Sequence, residues 1–122
     1  MLVVVKSMDR DTIQRLLSIY SESMECMESC FDSKKEMIEA YSSFLNKFVA
    51  NPKQLIMVEE INHIWVSGLR AIETKTGKWF IEAVETKPEE RGKGYGKELI
   101  RHTINYLSHN GMKEVSCTIG EK

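Results

Sequence analysis

A chain of 122 residues that is 42% hydrophobic and 29% charged can bury one core and is too apolar for a disordered segment. Its formal net charge of −1 gives no electrostatic case for nucleic acid or an anionic membrane surface as a partner. One small soluble domain spanning residues 1–122 is the expectation. The apolar run at residues 2–5 is far shorter than a signal-peptide core, and no stretch approaches membrane-spanning length, so the expected compartment is the cytoplasm. Cys26, Cys30 and Cys117 lack the paired spacing of a metal site and read as free, partly buried thiols.

Residues 2–6 form a β-branched apolar run and predict a first strand. Asp9 or Asp11 is positioned to cap a helix in which Ile13, Leu16, Leu17, Tyr20, Met24 and Met27 recur at helical spacing. That stripe predicts one amphipathic helix of about four turns. Ser33 and Glu36 make a capping box ahead of a second stripe, Met37, Ile38, Tyr41, Phe44, Leu45 and Phe48, which stops before Pro52. Both stripes are expected to pack into the core. Between them Glu22, Glu25, Glu28 and Asp32 stand three or four residues apart, the pattern of a solvated acidic face.

The period then changes. Residues 55–59, 64–74 and 78–86 are rich in Ile, Val, Trp and Thr and predict three strands, joined by hairpin turns at residues 60–63 and 75–77. Alternation along the third puts Phe80, Glu82, Val84 and Thr86 on one face and Trp79, Ile81, Ala83 and Glu85 on the other. A glutamate inside an otherwise apolar strand requires a partner or a role, because an unpaired buried carboxylate is costly. Beyond Pro88 lies a loop with Gly92, Gly94 and Gly96, then a helical stripe of Leu99, Ile100, Thr103, Ile104 and Leu107. Gly111 suits the left-handed residue that ends such a helix, and residues 115–119 predict a last strand. His63, His102 and His109 have no supporting motif; His102 and His109 are expected to face solvent.

The glycine loop carries the chemistry. Glycines allow close backbone approach, and the first amides of a helix lack internal partners, so the two together aim several donors at one anion. Arg91, Lys93 and Lys97 add positive charge nearby. A nucleotide P-loop is excluded, since Gly92 to Lys97 is one residue short and Glu98 follows where a hydroxyl is needed. The dinucleotide fingerprint fails because its third glycine comes one position early.

The pattern Arg/Gln-x-x-Gly-x-Gly/Ala is matched by Arg91, Gly94 and Gly96, behind an apolar strand and Pro88 and ahead of Leu99 and Ile100. It resembles the acetyl-coenzyme A loop of the GNAT N-acetyltransferase family, and the order β, α, α, β, β, β, α, β resembles that family up to its fifth strand. The resemblance implies an α/β GNAT (acyl-CoA N-acyltransferase) fold, a mixed central sheet with helices on both faces. The chain stops before the usual carboxy-terminal helix and strand pair, which contributes the family's usual proton donor.

The same resemblance implies acetyl-CoA as co-substrate, with Arg91, Gly92, Lys93, Gly94, Tyr95, Gly96 and Lys97 at its pyrophosphate and Val84 and Thr86 along the pantetheine arm. Glu82 corresponds to a glutamate that deprotonates the amine, with Glu85 as reserve, and amides at residues 84–86 would serve the oxyanion. The implied reaction moves an acetyl group to a primary amine of a small molecule or peptide, and the acidic residues after the first helix would border the acceptor. The rival expectation is a non-catalytic coenzyme A binding or interaction module. A last strand left uncovered at residues 115–119 predicts a homodimer, or completion by a further segment.

Overall fold

The computed structural model describes residues 1–117. Five strands form one sheet in the order β1-β2-β3-β4-β5: β1 (Leu2–Val5), β2 (Gln54–Ile61), β3 (Ile64–Lys75), β4 (Lys78–Thr86) and β5 (Glu114–Cys117). The first four pair antiparallel with one another, and β5 pairs in parallel with β4 from Lys78↔Glu114 to Ile81↔Cys117. The predicted last strand thus begins here; its residues 118 and 119 lie outside the described residues. A parallel pair needs a crossover, and α4 (Tyr95–Ser108) supplies it between β4 and β5.

The remaining helices, α1 (Arg10–Ile19), α2 (Ser21–Glu28) and α3 (Lys34–Ala50), precede β2. Asp9 is the α1 cap, its carboxylate accepting from the Thr12 amide at 2.8 Å. That bond holds the Asp9 carboxyl below its ordinary pKa. Ser33 caps α3 through the Glu36 amide at 3.1 Å, while the Glu36 carboxylate reaches back to the Asp32 amide. Gly111 has φ of +91° after the end of α4, where the Met112 amide closes on the Leu107 carbonyl at 3.0 Å.

Alternation along β2 splits the core between the two faces of the sheet. Ile56 and Val58 pack with Leu16, Ile19, Leu45 and Phe48 of α1 and α3. Met57 points the other way and joins Leu69, Ile81, Leu99 and Leu107 under α4. Helices on both faces of a mixed sheet are the expected α/β architecture.

Four expectations are corrected. The first amphipathic helix is not continuous: Tyr20, at φ −97° and ψ 22°, separates α1 from α2. The three cysteines are free but exposed, not partly buried. Met27 and Phe44, read as core positions, remain 45% and 43% exposed. His102 is half-buried and not simply solvent-facing: its Nδ1 lies 2.8 Å from the carboxylate of Glu59, a residue buried to 2% exposure that also meets the Met1 amine at 2.7 Å. Among the described residues no helix is long and apolar enough to cross a membrane.

Candidate active site on strand β4

Strand β4 carries a bulge at its centre. Glu82 is opposite Arg70 and Glu85 is opposite Gly68, so Ala83 and Val84 together face the single residue Leu69. Ala83 takes φ of +54° there, a conformation that an L-residue adopts only when its surroundings impose it. The imposing contact is visible: the Tyr20 hydroxyl donates to the Ala83 carbonyl at 2.8 Å. Gly68 leaves room for it, since a Cβ there would stand 3.3 Å from the Tyr20 oxygen.

The extra residue reverses the alternation beyond it. Glu82 and Glu85, expected on opposite faces, both turn toward α1–α3. Glu82 accepts from Arg70 Nε at 2.8 Å, and the Arg70 guanidinium lies over the rings of Phe44 and Phe48. Glu85 accepts from the Ser23 hydroxyl of α2 at 2.8 Å. Val84 instead packs under α4. Thr86 shares that side, because a Cβ on Gly96 would meet Thr86 Oγ1 at 3.5 Å and Val84 Cγ1 at 3.9 Å.

The glycine loop follows a single 3₁₀ turn at Pro88–Glu90. Gly92 and Gly94 have φ of +83° and +80°, and a Cβ on either would meet nothing within 4 Å, so the loop presents bare backbone to open space. Gly94 begins α4 without a side-chain cap, which leaves the first amides of that helix, at Tyr95, Gly96 and Lys97, without partners from a capping side chain. The Tyr95 carbonyl accepts from Ser67 Oγ at 3.4 Å and ties the loop to β3. Uncapped amides behind a helix dipole fit an anionic diphosphate.

The cations near the loop are not equally placed. Arg91 is turned across to α2: its Nε donates to the Thr86 carbonyl at 3.2 Å and its Nη1 lies 2.9 Å from the Glu22 carboxylate. Lys93 is held by Glu90 at 3.0 Å, and that hydrogen bond raises its pKa. Lys97 has no ion-pair partner among the described residues.

Opposite the loop, on the α1–α3 face, a cavity of about 430 Å³ opens between α2, α3 and β4. Glu85 and Ser23 stand on its polar side, Ala83 and Arg70 line it on the sheet, and Tyr20 and Tyr41 contribute phenols. Burial pushes the Tyr20 phenol well above its ordinary range and the Tyr41 phenol up to about 12, so near neutral pH both carry their protons, and Tyr20 donates its own to Ala83. The acidic residues expected to border the acceptor are dispersed: Glu22 pairs with Arg91, while Glu25 and Glu28 line a separate depression on the outer side of α2.

A model of the Acetyltransferase (GNAT) family matches residues 14–122, and the chain belongs to that family. No curated protein matches it. Among solved structures it is similar to an aminoglycoside acetyltransferase from an uncultured soil metagenomic sample in complex with sisomicin, at 16% identity and TM-score 0.74, covering 99% of this chain and 78% of that one. The PaiA N-acetyltransferase of Thermoplasma acidophilum, in complex with coenzyme A, shares 16% identity at TM-score 0.69, covering 100% of this chain and 81% of that one. A transcriptional regulator from Bacillus halodurans C-125 matches at 15% identity and TM-score 0.72, covering 99% and 83%. These likenesses are likenesses of fold.

Proposed function

We propose that the protein is an acetyl-CoA-dependent N-acetyltransferase acting on a primary amine in the cytoplasm. The observation that carries this reading is the bulge in β4, beyond which the strand turns Val84 and Thr86 to the glycine loop and Glu85 to the cavity. One strand then separates an anion-binding loop from an amine-sized cavity, and a thioester drawn along it would have its carbonyl between the two.

Acetyl-CoA supplies an activated acyl group on a good leaving thiolate. The chain's own residues do the rest. The amides of Tyr95, Gly96 and Lys97 bind the pyrophosphate, with Gly92 and Gly94 allowing the close approach, and Lys97 adds charge; Arg91 and Lys93 reach it on release from Glu22 and Glu90. Of the two candidate carboxylates, Glu85 lines the cavity and takes the ammonium proton, while Glu82 neutralises Arg70 beneath it. A bulged residue is released from the ladder, so an amide at residues 84–86 serves as oxyanion donor. In balance, the amine nitrogen bonds the acyl carbon, the C–S bond breaks, two protons leave the nitrogen, and one is returned to the departing thiolate.

The test is a thiol-release assay over a panel of amines with acetyl-CoA. Glu85→Gln is expected to lower kcat by roughly 10² to 10⁴, with coenzyme A affinity kept. Glu82→Gln is expected to act mainly through the Arg70 pair, lowering the melting temperature more than kcat. The opposite pattern would make Glu82 the base. Coenzyme A binding with no thiol release on any amine would end the transferase reading.

A further inference from the structure

The residues around the acceptor cavity are unlike those suited to a polycation. Much of its lining is sulfur and aromatic carbon, from Met24, Met27 and Met37 and from Phe31, Tyr41 and Phe44. Among the described residues only two charged side chains line it. One, Arg70, is neutralised by Glu82 at 2.8 Å; the other is Glu85. The acidic residues of α2 that would welcome further ammonium groups are not part of its lining, whether or not Arg91 holds Glu22, and Glu25 and Glu28 line a depression on the outer side of α2. Exposed Met27 and Phe44 thereby gain a reason, since both stand on the cavity wall and not in the core.

We propose that this cavity takes an acceptor with a single ammonium group on an apolar body of aromatic or branched-alkyl character, and rejects polyamines and aminoglycosides. The inference rests on the acceptor-site reading above. One carboxylate satisfies one ammonium; each additional ammonium has to be desolvated against apolar carbon with no partner. The body of the ligand is held by thioethers and rings, and methionine adapts its shape to the side chain it meets. The volume, about 430 Å³, lies within the ordinary range for small-molecule sites.

The experiment uses the full chain, with 2-phenylethylamine and isoamylamine as apolar monoamines and spermidine and sisomicin as polycations. Binding is followed by chemical shifts of the Met24, Met27 and Met37 methyl groups, and transfer by thiol release. The apolar amines are expected to shift those methyls and to exceed the polycations in kcat/KM by about a hundredfold or more, the scale of a misplaced group in an apolar pocket. Met27→Glu, at a position 45% exposed, is expected to cut that ratio at least tenfold. Methyl shifts with 2-phenylethylamine but no transfer to any amine would support the cavity's selectivity while ending the transferase reading. Equal or better transfer to spermidine or sisomicin would overturn the selectivity and leave the transferase reading intact. Absence of methyl shifts with either apolar amine, in a chain that still binds coenzyme A, would overturn the inference outright.

Discussion

At Tyr20 one hydroxyl connects helix, strand and site. It sits where α1 gives way to α2, is buried to 5% exposure, and donates to the carbonyl of the bulged Ala83. Tyr20→Phe keeps the ring and removes the donor, leaving a carbonyl without its partner at a cost of about 1–3 kcal/mol. The measurement is denaturant unfolding together with kcat: because Ala83 is held at positive φ by that contact, kcat is expected to fall as well. Loss of stability with unchanged kcat would show that the bulge keeps its shape unaided. The tyrosine was legible in the sequence as a core position and no more. The hydroxyl's partner lies 63 residues away, and no local pattern announces such a bond. The same limit hid the Arg70–Glu82 pair and the Glu59–His102 pair, the second of which turned an expected surface histidine inward.

Among the elements, the loop and α4 were the most legible, since glycines, an uncapped helix start and an apolar stripe are local signals. Gly94 has φ of +80° and open space in front of it. Gly94→Val would strain that conformation and fill the space a phosphate needs, and is expected to weaken coenzyme A binding at least tenfold, about 1.4 kcal/mol. Calorimetry on a variant with native circular dichroism checks it, and unchanged affinity would remove the loop from the cofactor site. Strand β4 was legible as a strand, yet its faces were misread. Counting alternate residues assumes a period of two throughout, and one inserted residue inverts every position after it. Glu82 and Glu85 therefore meet on one face. The first helix was misread for a related reason: an apolar stripe runs on through Tyr20 although the backbone there departs from helical geometry.

For the whole molecule, β5 is one of the two edges of the described sheet, paired on one side with β4. An open edge is a template for another chain. We propose that a homodimer covers it, burying on the order of 1,000 Å² or more, or that a further segment of chain completes the sheet there. Light scattering at micromolar concentration is expected to give twice the chain mass; a monodisperse monomer with slow hydrogen exchange at residues 114–117 would show that the edge needs no partner.

The register of the sheet also sets an order of assembly. Strands β2, β3 and β4 meet through tight hairpins, the first turning at Asn62 and His63 with φ of 50° and 67°, so their contacts close short loops. Leu2 has to find Glu59 across three intervening helices. Chain entropy is lost before such distant contacts stabilise anything, which makes β1 a late arrival. The meander is then the folding nucleus, and β1 closes over a preformed edge. Val4→Ala in β1 is expected to speed unfolding with little change in the refolding rate, whereas Val58→Ala, at the centre of β2, slows refolding. Equal effects of the two on refolding, in stopped-flow kinetics, would mean that the first strand is already in place when the barrier is crossed.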